Sequence, residues 1–382
     1  MQSEVMVELD RSVARNAPRT PELDLLVELE RCPACDSTDI APFFASTNAN
    51  GPIRFEQLLF RRLGLPWRPV RFDACQRCGL AFLNPRWTPH ALGRIYGPEN
   101  LYRVCAIEAY KIEQPGATEE DYFRFIDDTV SRPDSTHASH LGRARWARGR
   151  LPKTFPERPL AADVGAGFGA AQRAIEKAGF EYRGFESSAE MVAYAARHQR
   201  SVRCVPFSDV AKELRGEAHL VYTAQFLEHV DSPVSCLESL RPCLRDDGYV
   251  FVDVPTCHYK LLDDALVLTG GQRRTTMNWG HMNLFDEESL ANAMILAGFD
   301  PVAHHHDSGN IWMLGKKTAA VPAGSLQTPD MNRLTRHVHA IDPAVEPVAT
   351  ALLRARRRVR DTLASAGLLE TARAVRRFLQ AN

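Results

Sequence analysis

Two C-x-x-C pairs, Cys32-Pro33-Ala34-Cys35 and Cys75-Gln76-Arg77-Cys78-Gly79, are the residues whose type and spacing speak first. Four thiolates on two turns are the soft, closed donor set of a tetrahedral structural zinc. A spacer of 39 residues separates the pairs, longer than a compact ribbon uses, so two unrelated reduced cysteine turns stand as the alternative. Neither pair opens a helix after a strand, which argues against a redox role. Nine cysteines in all, an odd number, suit metal binding in a reducing compartment better than a disulfide framework.

A second constellation begins at Asp163, where an apolar run enters the turn Gly165-Ala166-Gly167-Phe168-Gly169 and a helical stretch follows. Glycines there let the backbone approach a ligand closely. Gly165, Gly167 and Ala170 satisfy the dinucleotide spacing G-x-G-x-x-A, and Glu186 falls 21 residues after Gly165, where a ribose-binding acid belongs. Two cofactor classes therefore compete. The carboxylate of Asp163 sits badly beside a pyrophosphate and suits the aminoacyl end of S-adenosylmethionine. Glu186 offers two acceptors to two ribose hydroxyls and serves either class.

Several histidines could move a proton. His229, in Gln225-Phe226-Leu227-Glu228-His229-Val230, titrates near neutrality and could act as a general base with Glu228 orienting it. The same pair could instead only order a strand-to-helix turn. His281 is the rival, in the aromatic loop Asn278-Trp279-Gly280-His281-Met282-Asn283 ahead of a helix. His258 and Tyr259, after the fifth strand, could also reach the pocket but read rather as surface residues. His304, His305 and His306 alternate sides of a strand, so all three cannot face one ion, and they read as ordinary strand residues.

The elements that must position these groups divide the 382 residues into segments. A polar extension, 1–30, holds one short helix at Pro21–Glu30. Residues 31–90 form the zinc-binding knuckle, a lobe small enough to need the metal in place of a core of its own. Residues 91–157 are a helical linker or cap. From 158 to 320, short apolar runs alternate with amphipathic ones, the pattern of a doubly wound α/β domain with a mostly parallel sheet. Strands are expected at 160–164, 181–186, 201–205, 219–223, 249–254, 301–307 and 310–316, with a turn at Arg245–Gly248 and an antiparallel final pair. The tail, 331–382, is a helical appendage with ten arginines against four acids, a solvated or partner-docking pair of helices before it is an anion site.

Composition limits the rest. The chain is 45% hydrophobic and 25% charged, with 47 basic and 47 acidic residues, an ordinary globular balance that gives no bulk electrostatic reason to expect nucleic acid as a partner. No stretch approaches a membrane span, and the first thirty residues lack a signal-peptide core, so no membrane and a cytoplasmic location are the expectation. A homodimer through the apolar residues of the tail stays open.

The ordered motifs, Asp163 to Gly169, Glu186 at a strand end, Leu227-Glu228-His229 after the fourth strand and Gly248 before the fifth, resemble the class I S-adenosylmethionine-dependent methyltransferases over about 158–318. His219 stands where that family often has an acid, and Asp246-Asp247-Gly248 replaces its usual Pro-Gly-Gly-like turn. The resemblance implies that Asp163, Gly165, Ala166, Gly167 and Gly169 line the methionine end of the cofactor. It places Glu186, Ser187 and Ser188 at the ribose, Phe207 and Ser208 at the adenine, and Gln225 over the cofactor; core packing is the alternative for Phe207. The run Cys78 to Arg86, with Tyr96 and Tyr102 beyond it, resembles the cysteine knuckle ahead of bacterial sugar and natural-product methyltransferases, implying a small-molecule or nucleotide-sugar acceptor. A catalytically silent methyltransferase fold used as a binding subunit, and a nucleic-acid methyltransferase gripping its substrate with knuckle and arginine tail, remain as alternatives.

Overall fold

A computed structural model describes residues 25–45, 54–97, 99–131, 140–256, 278–307, 310–318 and 326–331. The expected tail helices, His258 and Tyr259 lie outside these residues, as does most of the N-terminal extension.

The strands in chain order are β1 (Leu26–Val27), β2 (Ile40–Ala45), β3 (Arg71–Cys75), β4 (Ala81–Leu83), β5 (Arg86–Trp87), β6 (Leu160–Val164), β7 (Glu181–Glu186), β8 (Val202–Cys204), β9 (Ala218–Ala224), β10 (Leu244–Pro255), β11 (Asn283–Leu284), β12 (Phe299–Asp307) and β13 (Asn310–Lys317). The helices are α1 (Arg54–Leu63), α2 (Pro89–Tyr96), α3 (Leu101–Glu113), α4 (Glu119–Ser131), α5 (His140–Arg148), α6 (Gln172–Lys177), α7 (Ala189–Arg197), α8 (Val210–Leu214), α9 (Pro233–Leu240) and α10 (Glu287–Leu296).

Seven strands form the main sheet in the order β12-β13-β10-β9-β6-β7-β8. The pairs among β8, β7, β6, β9 and β10 are parallel, whereas β13 runs antiparallel to both β10 and β12. The central strands β6 and β10 carry near-continuous buried runs because helices cover both faces. One face packs on Val164, Phe185, Leu237, Val252 and Met294; the other on Ala161, Tyr182, Leu220, Phe251 and Trp312. The chain order reverses on either side of β6, so the C-terminal ends of β6 and β9 frame the crevice in which such sheets bind ligands.

The N-terminal lobe is not an independent knuckle. Its four-stranded sheet runs β11-β4-β3-β2, and β11 comes from the segment between β10 and β12 of the main sheet, pairing Asn283 with Phe82 and Leu284 with Ala81. The lobe also has a core, contrary to the expectation from its size: Leu59, Phe60, Phe72, Leu83, Trp87 and Ile95 close around Trp279 and Met282, which the 278–286 loop contributes. The loop is pinned there by Trp87 Nε1 donating to Trp279 O at 2.7 Å, Trp279 Nε1 donating to Arg68 O at 2.8 Å and Trp279 N donating to Glu56 at 3.1 Å. Burial is shared between two parts of the chain, which is why neither part reads as a core alone.

Two expectations need correction. Leu26–Val27 is a strand paired with Arg86–Trp87 rather than part of a helix, since backbone pairing with β5 outcompetes local helical preference. Arg245–Gly248 is not a separate turn but the irregular start of β10, where the register to β9 shifts between Leu244 and Tyr249.

Candidate active site

The turn after β6 has the geometry a cofactor cradle requires. Gly165, Gly167 and Gly169 all have positive φ, at 77°, 55° and 73°, a region that strongly favours glycine. A Cβ on Gly165 would stand 2.8 Å from the Phe226 ring and one on Gly169 2.8 Å from Val202, while one on Gly167 would meet nothing within 4 Å. The middle glycine thus presents bare backbone to open space. Glu186 ties the turn to the end of β7: its carboxylate accepts from Gly167 N at 3.0 Å and Ser188 N at 2.9 Å, and the Ser187 hydroxyl donates to it at 3.3 Å. Ser188 also caps α7 and receives a hydrogen bond from Asn100, so the N-terminal half of the chain reaches the same edge.

Asp163 lies beneath this turn, 4% exposed. Burial pushes its carboxyl up to about 7, while the Tyr182 hydroxyl, which donates to it at 3.1 Å, pulls the other way. Val205 N donates to Glu186 O at 2.9 Å and so draws the segment carrying Phe207 and Ser208 up beside the turn. Phe207 is half-buried, its ring centroid 5.5 Å from that of Phe226, and Ser208 is exposed. Gln225 adopts a left-handed φ of 56° and binds Asp253 twice, through its backbone N–H at 2.8 Å and its side-chain amide at 3.0 Å. These residues fit S-adenosylmethionine as a bound group: an open glycine backbone, a carboxylate on the neighbouring strand end and a buried acid below.

Glu228 and His229 occupy a single 3₁₀ turn after β9. His229 Nδ1 lies 2.7 Å from Gly280 O and 2.9 Å from Tyr96 Oη. A carbonyl only accepts, so Nδ1 carries the proton and Nε2 keeps its lone pair. Burial lowers the His229 imidazole to about 4, leaving the ring neutral across the physiological range. Tyr96, Tyr102 and His281 surround it, with ring centroids 5.5, 5.8 and 5.1 Å away. The two histidines proposed as rivals in sequence therefore meet in one place. Glu228 is fully buried, and neither of its side-chain oxygens has a hydrogen-bond partner among the described residues. Burial raises its carboxyl well above the usual range, and Oε1 stands 3.6 Å from His229 Nε2.

The knuckle is wired to this turn. Arg86, with no exposed surface, donates through Nη2 to Asp231 O at 2.7 Å and Val230 O at 3.2 Å. The Ser232 hydroxyl donates to Pro33 O, inside the first cysteine pair, at 2.9 Å. Asn283 donates to Leu227 O and Val230 O, and Met282 N to Glu228 O. Cys32 Sγ and Cys78 Sγ are 3.6 Å apart, Cys35 Sγ and Cys75 Sγ 3.5 Å, and all four sulfurs lie within 4.8 Å of one another. Tetrahedral zinc with Zn–S near 2.3 Å sets sulfurs about 3.8 Å apart, so the cluster fits that ion. Packed this closely, hydrogen bonding to Cys32 before the others pushes the Cys78 thiol up, which opposes four thiolates standing together without a cation. The Arg86 Nε and Nη1 atoms have no hydrogen-bond partner among the described residues, and Nε stands 3.8 Å from the Asp231 carboxylate.

Two groups escaped the sequence reading. Arg143 on α5 forms a 3.0 Å ion pair with Asp253, both almost wholly buried, and His140 of the same helix meets the Tyr222 hydroxyl at 3.0 Å. An acid inside the apolar run of β10 was the visible signal for Asp253; nothing in spacing points to Arg143. His219, the departure noted at the start of β9, accepts from Leu160 N at 3.2 Å, a structural role.

The family model described as a methyltransferase domain matches residues 142–304. A ubiquinone biosynthesis O-methyltransferase of Bordetella avium (strain 197N) is 28% identical over 130 residues, 32% of this chain and 53% of that protein, so the chain spans about half the length of this relative. Among solved structures, the Burkholderia thailandensis 1,6-didemethyltoxoflavin-N1-methyltransferase is similar at 20% identity and TM-score 0.35, covering 53% of this chain and 92% of that one. A SAM-dependent methyltransferase from Archaeoglobus fulgidus is similar at 14% identity and TM-score 0.38, covering 52% and 100%. No described helix is long and apolar enough to cross a membrane. With its seven-stranded sheet, glycine turn and matching family model, the chain carries a class I S-adenosylmethionine-dependent methyltransferase domain.

Proposed function

We propose that the protein transfers a methyl group from S-adenosylmethionine to a hydroxyl, amine or activated carbon of a small metabolite, such as a nucleotide-linked sugar, with His229 taking the acceptor's proton. The observation that carries the reading is the fixed tautomer of His229, neutral and with Nε2 unprotonated, within an aromatic enclosure built by the N-terminal lobe. When bound, the cofactor supplies an electrophilic methyl on a sulfonium. Glu186 and the backbone of Gly167 are the groups suited to orient it, and the lobe carrying Tyr96 and Tyr102 excludes water from the acceptor side. As the acceptor loses its proton to Nε2, Gly280 O holds the Nδ1 side of the imidazolium. The O-methyltransferase relative puts hydroxyl acceptors first among those to try.

The test is S-adenosylhomocysteine release over a panel of nucleotide sugars and phenols, with His229→Ala beside the wild type. Turnover should fall at least a hundredfold with cofactor affinity unchanged, and the acid limb of wild-type kcat/KM should lie near pH 4, where the imidazole titrates. Equal loss of cofactor binding would reduce the Glu228-His229 pair to a structural turn. Cofactor binding without release for any acceptor would favour a silent binding subunit.

A further inference from the structure

The three consecutive histidines of β12 lie outside the cleft, and alternation along the strand splits them. His305 turns to one face, its ring centroid 4.6 Å from that of Trp312 and 6.4 Å from that of Trp146. His304 and His306 turn to the other, where the first residue of α10 meets both: Glu287 Oε1 is 3.1 Å from His304 Nε2 and Oε2 3.0 Å from His306 Nε2. One donor atom from each residue lies within 4.8 Å of the other two. We propose that Glu287, His304 and His306 form a second divalent-cation site, distinct from the cysteine cluster, that takes a borderline transition ion such as Zn2+, Co2+ or Ni2+ and ties the first turn of α10 to the edge of the main sheet.

The donor set selects the ion. Two imidazoles and one carboxylate suit borderline metals, whereas Mg2+ and Ca2+ prefer oxygen alone. Bonds of about 2.0–2.2 Å to nitrogen and oxygen set neighbouring donors roughly 3–3.5 Å apart, and the two Nε2–carboxylate separations already stand at 3.1 and 3.0 Å. Access is open because β12 is the outermost strand, with the His304 side chain 48% exposed and that of Glu287 32%; water completes the coordination. Without an ion, each Nε2 must carry a proton to bond the carboxylate. With one, each Nε2 gives its lone pair to the ion and the ring proton moves to Nδ1, leaving both imidazoles neutral. His306 Nδ1 has no hydrogen-bond partner among the described residues, so this ring lacks the second contact that usually sharpens a metal ligand. The site therefore binds more weakly than the four cysteines, and the two can be loaded in turn.

The test uses the full chain free of any affinity tag, its cysteine cluster first filled with one equivalent of Zn2+, then titrated with Co2+ by calorimetry and visible absorption. One further equivalent should bind, with cobalt ligand-field bands and no sulfur-to-cobalt charge transfer. Glu287→Gln should weaken this step at least tenfold, and His304→Asn with His306→Asn should abolish it, while both variants keep one zinc and the wild-type circular dichroism. A wild type that takes up no second equivalent, or variants that bind cobalt as the wild type does, would overturn the proposal. Neither result bears on methyl transfer, since these residues stand apart from the cleft.

Discussion

Replacing Asp163 with Asn should remove one of two buried-carboxyl contributions, Glu228 being the other, to the fall in the unliganded protein's stability between pH 5 and pH 8. In the fold the Asp163 carboxyl is pushed up to about 7 from an ordinary 3.8, first by burial. The folded state therefore holds the proton more tightly than the unfolded chain. The stability it confers is complete below pH 3.8 and is lost as the pH rises through 7. Integrated over these two values, the wild type loses about 2.5 kcal/mol between pH 5 and pH 8 that a neutral amide does not. Urea denaturation of both proteins at several pH values measures this as a widening gap in unfolding free energy. Tyr182→Phe removes the hydroxyl that donates to Asp163 at 3.1 Å and should move the inflection to higher pH. Parallel profiles for wild type and Asp163→Asn would refute the reasoning, because they would mean the carboxyl is ionised in the fold already at pH 5.

Gly165→Ala places a methyl group 2.8 Å from Phe226 at a φ of 77°. It should destabilise the domain by about 2–4 kcal/mol and weaken S-adenosylmethionine binding at least tenfold by calorimetry. Arg86→Met keeps the stem volume but leaves the Asp231 carbonyl without its donor, while Val230 O keeps Asn283, with an expected loss of about 1–3 kcal/mol in denaturant; Lys, lacking the fork, should not restore it. Stripping zinc with a chelator, or Cys75→Ser, should lower the melting temperature and expose the β2–β3 segment to protease, with elemental analysis giving one zinc per chain in the protein before cobalt or further zinc is added. Substoichiometric zinc with intact folding would contradict that.

The sheet was legible because each strand is a short apolar run between turn signals: Leu160–Val164 and Glu181–Glu186 lie where the pattern puts them. The glycine turn was legible for a local reason too, since positive φ at Gly165, Gly167 and Gly169 leaves a mark on residue type. What stayed hidden depends on distant partners. β11 has two residues and exists only through pairing with β4, some 200 residues earlier. The core of the N-terminal lobe could not be counted from residues 31–90 because Trp279 and Met282 complete it. Arg86 entered only as the end of the run that carries a family resemblance; its burial follows from carbonyls 144 and 145 residues away. Tyr96 and Tyr102 entered only through a family resemblance, since nothing in their spacing foretells contact with His229. Likewise, alternation correctly separated the three histidines of β12, but Glu287 could join two of them only once α10 was placed against the strand.

Calorimetric titration of the purified chain with S-adenosylmethionine and S-adenosylhomocysteine, beside NAD and NADP, tests the central claim most directly. The account predicts stoichiometric binding of the two sulfur nucleosides, lost when Glu186 is replaced by Ala, and no binding of either dinucleotide. Preference for a dinucleotide, or sulfur-nucleoside binding indifferent to Glu186, would contradict it.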